Sequence, residues 1–311
     1  MKTDVLLPQW LDDLIFRQMG AKYCRSNKDI TVIDWDKNDV LNYLGTYFPR
    51  SYAEAYCIFT EFFKKNPEYT FKTNLNVFDL GCGTGGEIIG LIDCISKQIP
   101  EIQEITFTAM DGNEHALRLL ERIFTSYKDK SNIELRINPL HWIIDDLTDL
   151  DILEKALTGQ FDLIMSFKAI CEFVTKETFQ RDNAYGHVIN TFIHRLKNDG
   201  TMLLADVTSY NNVSKEWLPK MMDVGIMECN DCLVLLKNEG YNQSFFVTHS
   251  ISRNDRSKIA WRVLGREDFV REISGYSCNK AYHKWLSNRG ILEPIELEFN
   301  TIRTIDYKTR F

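Results

Sequence analysis

Val77-Phe78-Asp79-Leu80-Gly81-Cys82-Gly83-Thr84-Gly85-Gly86-Glu87 is the stretch on which the fold turns. Leu75, Val77 and Phe78 form a short apolar run with β propensity, and glycines then stand at alternate positions, 81, 83 and 85. From Glu87 onward Ile88, Ile89, Leu91, Ile92, Ile95 and Ile99 recur at helical spacing. The reading is a strand, a tight glycine turn and a helix. Glycine permits positive φ at such a turn and lets the backbone come against a ligand. The free amides of the following helix N-terminus suit a negatively charged group. Dinucleotide-binding turns use a similar device with the pattern Gly-x-Gly-x-x-Gly. Here the third glycine comes one residue earlier, and an acid, Asp79, stands two residues before the first. The alternative is a strand-to-helix turn that holds no ligand.

Outward from this stretch, strands and helices alternate. Glu104 to Met110 reads as a second strand ending at Asp111-Gly112-Asn113, and a helix follows with Ala116, Leu117, Leu119, Leu120, Ile123 and Phe124 on its apolar side. A third strand is expected between Ile133 and Ile144, interrupted by Pro139. It leads to Asp145-Asp146-Leu147-Thr148-Asp149. Phe161 to Ser166 is almost wholly apolar, as a strand covered on both faces must be. A helix carrying Tyr185, Val188, Ile189, Phe192, Ile193 and Leu196 is closed by Gly200, and Thr201 to Val207 forms a fifth strand. Ser244 to Thr248 and Lys258 to Leu264 read as a terminal hairpin.

The string Asp-Leu-Gly-Cys-Gly-Thr-Gly at 79–85 resembles the first motif of the class I S-adenosylmethionine-dependent methyltransferases. The order helix, Leu196-Lys197-Asn198-Asp199-Gly200-Thr201, apolar strand is similar to the same pattern. The resemblance covers about 75–264 well. It implies an α/β fold with a doubly wound, seven-stranded, mostly parallel sheet and an N-terminal helical cap, with S-adenosylmethionine as the cofactor. By the same resemblance Asp79, Gly81, Cys82, Gly83, Gly85 and Glu87 form the donor's cradle, with Glu87 near its amino group. Asp111, with Gly112 and Asn113, would take the ribose, since a carboxylate at the end of the second strand can accept both hydroxyls of a vicinal diol. The alternative makes Asp111 a turn residue and Asn113 a helix cap. Asp145 or Asp146 would accept from the adenine amine, or the acids here belong to a solvated loop and cap. Ser166 and Phe167 would face the transferred methyl group.

The acceptor is less legible. The chain has neither Asn-Pro-Pro-Tyr nor Asp-Pro-Pro-Tyr after Ser166, nor a Pro-Cys dipeptide, so Cys171 reads as a core thiol rather than a nucleophile. Lys168, Glu172, His141 and Tyr52 are candidates for a catalytic base by position. Lys168 and Glu172, four apart, can instead pair along a helix. A net charge of −7 argues against a broad electrostatic grip on nucleic acid. A small-molecule acceptor is therefore favoured, with RNA or protein second. A non-catalytic S-adenosylmethionine-binding assembly or regulatory protein is the reading from another class.

Three regions are expected: a helical cap at 1–73, the core at 74–264 and an extension at 265–311. In the cap, Trp10, Leu11, Leu14 and Ile15 are amphipathic, and Ser51 with Glu54 matches a capping box that would start a helix after Pro49. Tyr47, Arg50 and Tyr52 are candidates to close over the ligand, or the helix is a packing helix with an aromatic stripe. Residues 208–242 are expected to place helices over the substrate side. The extension is expected to add a helix near 279–289 and an extended segment around Ile295 to Phe299. Of eight cysteines, Cys229 and Cys232 have metal-ligand spacing that Cys278 and His283 could complete, although Cys-x-x-Cys also fits one helix face. No metal is expected. Scattered cysteines suit a reducing cytoplasm. No apolar stretch approaches the roughly 20 residues that span a bilayer, so no membrane partner is expected.

Overall fold

The computed structural model describes residues 2–24, 35–65, 72–172, 182–211, 215–229, 232–237, 245–250 and 255–266. In chain order these form β1 (Lys2–Asp4), α1 (Gln9–Asp12) running into a π-helical turn (Asp13–Gln18), α2 (Lys37–Lys65), β2 (Asn74–Leu80), α3 (Gly86–Gln98), β3 (Glu104–Asp111) and α4 (Glu114–Lys128). Then follow β4 (Glu134–His141), α5 (Leu147–Ala156), β5 (Phe161–Phe167), α6 (Ala184–Phe192), β6 (Leu196–Val207), β7 (Tyr210–Asn211), β8 (Glu216–Trp217), α7 (Leu218–Met227), β9 (Cys232–Lys237), β10 (Phe245–Ser250) and β11 (Asp255–Arg266).

The main sheet runs β4-β3-β2-β5-β6-β11-β10. β2 to β6 are mutually parallel, and β11 is antiparallel to both β6 and β10. This is the seven-stranded, mostly parallel sheet expected from the sequence. Two short strands extend it to nine: β1 lies parallel beside β10, and β9 pairs with the second half of β11. Chain order reverses between β2 and β5, and such a reversal opens a crevice at the strands' carboxyl ends. Alternate side chains feed two cores. Val77, Phe107, Leu163 and Met165 pack under α2, α3 and α4. Phe78, Met110, Ile164 and Met202 pack under α5, α6 and α7. Pro139 is tolerated because β4 is the sheet's edge.

Two local expectations are corrected. First, no helix starts at Ser51: α2 is one 29-residue helix with Pro49 inside it. An interior proline costs about 3 kcal/mol or more. Phe48, Tyr52, Ile58, Phe59 and Phe62 are all buried on this helix, and each contributes about 1.5–3 kcal/mol, so burial keeps the helix continuous. Second, β6 begins at Leu196, so Leu196 to Gly200 is strand rather than helix end. Leu196 pairs with Phe161 before the register shifts. An ion cluster anchors this end, where the Asp162 carboxylate accepts from the Asn76 amide (2.8 Å), Lys72 Nζ (3.0 Å) and Lys197 Nζ (2.7 Å). The described part of 208–242 supplies a helix, α7, which packs on α6. A Cβ on Gly225 would lie 2.5 Å from the Gly186 amide nitrogen. The helix expected near 279–289 and the segment at 295–299 lie outside the described residues. Among the described residues no helix is long and apolar enough to cross a membrane.

The cap helix α2 lies directly on α3. A Cβ on Gly86 would stand 2.5 Å from the Phe48 carbonyl oxygen, and one on Gly90 would strike the Tyr52 carbonyl oxygen. Gly90→Ala therefore gives a sign test. On a free helix the change stabilises by about 1 kcal/mol, whereas overpacking against backbone costs about 1–3 kcal/mol. Urea denaturation should show Gly90→Ala destabilised by about 1 kcal/mol or more; a gain in stability would refute the close approach.

Candidate functional site

The site is built on the turn between β2 and α3. Gly81, Gly83 and Gly85 have φ of 78°, 49° and 78°, the left-handed region that favours glycine. The Gly81 and Cys82 amides both donate to the Met110 carbonyl (2.9 and 2.8 Å), which ties the turn to the end of β3. Asp111 then bridges two turns: Oδ2 accepts from the Gly83 amide at 2.7 Å, and Oδ1 accepts from the Asn113 amide at 2.8 Å. A carboxylate offers about four acceptor positions, so these bonds leave half its capacity. Asn113 caps α4, accepting from the Ala116 amide at 2.9 Å. The carbonyl of Gly112 accepts from His141 Nε2 at 3.0 Å.

Three carboxyls crowd this turn. Asp79 is 0% exposed, and among the described residues neither of its oxygens has a hydrogen-bond partner. Glu87, in the first turn of α3, and Asp111 are also buried. Burial pushes Asp79 well above the usual carboxylate range, and the charges of Glu87 and Asp111 add to it. Burial lifts Glu87 to about 8 against the pull of its own amide, Lys168 and the Ser51 hydroxyl. Burial also raises Asp111, opposed by the Asn113 and Gly83 amides. Like charges so placed cannot all ionise cheaply in a low-dielectric site. A bound cation would favour the ionised forms.

The other sequence-selected residues fall at different places around the crevice. Asp146 caps α5, accepting from the Thr148 amide at 3.2 Å, and Asp149 accepts from the Asp145 and Asp146 amides at 2.9 Å each. The Asp145 side chain is exposed. At the end of β5, Ser166 Oγ donates to the Leu80 carbonyl (2.9 Å) and Phe167 is buried beside Phe59. Lys168 pairs with Glu54 of α2 at 2.6 Å, not with Glu172, because 168–172 is a turn rather than a helix. Glu172 is exposed. Burial and the Asp206 charge push the half-buried Cys171 thiol well up, the opposite of an activated thiolate. Cys82 is buried in the glycine turn. Tyr52 is directed elsewhere: its hydroxyl donates to Asp93, which also accepts from Tyr127. Cys229 is buried after α7, and Cys232 opens β9. Cys278 and His283 lie outside the described residues. Among the described residues no group of three His, Cys, Asp or Glu side chains could hold a metal ion.

Tyr43 and Trp35, which the sequence did not single out, complete the wall. Tyr43 reaches the glycine turn, its hydroxyl 2.9 Å from where a Gly83 Cβ would lie. It packs edge-on to Trp35 (5.1 Å) and stacks on Tyr47 (4.8 Å), over which the Arg50 guanidinium sits at 5.3 Å. Spacing of four between Tyr43 and Tyr47 on one helix was the available signal. Ser51 and Glu54 also belong here, as polar residues on an otherwise buried helix face.

The chain matches the family described as "Methyltransferase domain" over residues 71–253, more than half of its 311 residues, and it belongs to that family. No curated protein matches it in sequence. Among solved structures it is similar to the magnesium protoporphyrin IX methyltransferase ChlM of Synechocystis, at 12% identity over 82% of this chain and 94% of that one, with a TM-score of 0.43. It is similar to the Podospora anserina methyltransferase PaMTH1, at 12% identity over 84% and 89% of the two chains, with a TM-score of 0.39. For the mitomycin 7-O-methyltransferase MmcR the values are 9% identity, 74% and 57% coverage, and a TM-score of 0.42. At such scores the likenesses carry no argument about what this chain acts on.

The raised carboxyl of Glu87 makes a stability prediction for the unliganded protein. Its folded value of about 8 lies above the ordinary value of 4.5. Between these values the folded state holds a proton that the unfolded state has lost, so stability falls as pH rises through that window. Glu87→Gln removes the titration. The variant should match wild type near pH 4.5 and exceed it by several kcal/mol at pH 8.5, about 1.4 kcal/mol for each unit between the two values. Equal urea midpoints at both pH values would contradict this.

Proposed function

We propose that this member of the methyltransferase-domain family binds S-adenosylmethionine at the carboxyl ends of β2 and β3 and methylates a small-molecule acceptor. The observation that carries the reading is Asp79, fully buried with both oxygens unpartnered among the described residues, beside the buried Glu87 and Asp111. Buried charge is retained where a partner compensates it, and S-adenosylmethionine brings both an ammonium and a sulfonium.

The residues present fit that group. Asp79 and Glu87 would take the ammonium. Asp111, with acceptor positions left after bonding Gly83 and Asn113, would take the ribose hydroxyls. The exposed Asp145 is the candidate for the adenine amine, since Asp146 is occupied as a cap. Tyr43, Tyr47 and Arg50 would cover the pocket from the cap helix. When bound, the cofactor supplies a methyl group already activated on positively charged sulfur, so the chain's main tasks are orientation and exclusion of water. Ser166 and Phe167, at the end of β5, form the wall nearest the acceptor in this reading. Glu172, exposed at the same end, is the candidate to take a proton from the acceptor in this reading. His141 bonds the Gly112 carbonyl on the far side of β3, away from that end.

The acid-lined crevice and the net charge of −7 favour a small acceptor without phosphate over RNA. The free cysteines Cys24, Cys57, Cys82, Cys94 and Cys171 suit the reducing cytoplasm.

Calorimetry should show wild type binding S-adenosylmethionine and S-adenosylhomocysteine, with Asp111→Ala weakened about tenfold or more, the loss of one to two charge-assisted hydrogen bonds. Absence of binding by folded wild type would refute the cofactor assignment. With labelled donor and fractionated extract, label should enter low-molecular-weight material. Label in RNA or protein would overturn the acceptor class, and tight binding without transfer to any fraction would favour a non-catalytic binding protein.

A further inference from the structure

Lys168, the residue directly after β5, is one of two non-glycine residues with positive φ among the described residues, at 57°. Lysine in that region is less favourable than glycine, so its side chain must return something that glycine would not. What it returns is an ion pair: Nζ lies 2.6 Å from Glu54 Oε2, with Glu54 fully buried and the lysine side chain 12% exposed. The other Glu54 oxygen is buried without a partner among the described residues. Among the described residues Lys168 is therefore the one cation that compensates that carboxylate. Two further contacts spread the consequence. The Lys168 amide donates to the Ala205 carbonyl of β6 at 2.7 Å. The next residue, Ala169, packs so tightly on the glycine turn that a Cβ on Gly81 would collide with its own Cβ.

We propose that Lys168 is a positioning residue: its ion pair with Glu54 pins segment 168–172 to the cap helix and, through Ala169, sets the glycine turn. Segment 168–172 leaves the carboxyl end of β5, so in this arrangement the cap helix fixes the acceptor side and the cofactor turn together. The acceptor-side meaning rests on the methyl-transfer reading above, but the mechanical coupling does not. Backbone strain at functional segments persists where surrounding structure over-determines it, and here the determinant is one buried charge pair between residues 114 positions apart.

Amide hydrogen exchange on the full unliganded chain tests the coupling without any ligand. In Lys168→Met, exchange across 168–172 and 81–85 should speed up about tenfold or more, with α4 unchanged, and Lys168→Arg should stay within about twofold of wild type. Where Lys168→Met fails to fold, the double variant E54Q/K168M removes both charges and carries the same expectation. A second readout separates positioning from bulk: because the lysine's charge opposes the rise of the Glu87 carboxyl, the pH midpoint for S-adenosylmethionine binding should move upward in Lys168→Met and return in Lys168→Arg. Unchanged exchange at 168–172, or acceleration spread equally over α4, would overturn the proposal. Failure of wild type to bind the cofactor would refute the functional reading alone, since the exchange result stands without it.

Discussion

The arrangement depends on buried negative charge that the chain does not fully neutralise. Asp79, Glu87 and Asp111 meet at one glycine turn, each raised by burial. Each unit of such a rise represents about 1.4 kcal/mol between protonation states, so leaving these acids uncompensated is costly to a fold whose total stability is about 5–15 kcal/mol. A core designed only for stability would place apolar residues there. Their presence is explained when a cationic ligand belongs to the folded, working state.

The scaffold holds that charge still from three sides. Met110 and Asp111 bind the turn's amides from β3. Ala169 closes against Gly81 from the end of β5. The cap helix α2 reaches both, with Ser51 on Glu87 and Glu54 on Lys168. Its close seating on Gly86 and Gly90 makes these contacts possible, so the cap helix is packed into the core beside the glycine turn. The buried Tyr52–Asp93–Tyr127 hydrogen bonds join α2, α3 and α4 farther along the same face.

Much of this was legible in the residues themselves. β5 is buried throughout, and such strands announce themselves as apolar runs. The glycine turn and the acid at the end of β3 are local patterns, read from a few adjacent positions. What escaped was non-local. Nothing near Pro49 shows that the helix continues through it, because the burial that holds it comes from α3 and the sheet. Ser51 and Glu54 fit a capping box locally, yet both are spent on partners across the site. Asp146, in contrast, turned out to make the cap. The short strands β1 and β9 were missed because their pairing partners, β10 and β11, lie far along the chain.

The measurement that bears most directly on the buried-charge site is the number of protons exchanged when S-adenosylmethionine binds. Calorimetry at pH 6.5 in buffers of different ionisation enthalpy provides it. At that pH the ligand's α-amino group is already protonated, with its ordinary value near 7.7–8.0, whereas Glu87, at about 8, still holds its proton. Binding of the cation should ionise the buried carboxyls and release protons, and Glu87→Gln should reduce the release. Binding with no proton release, or with net uptake, would contradict a cofactor site built on uncompensated buried acids.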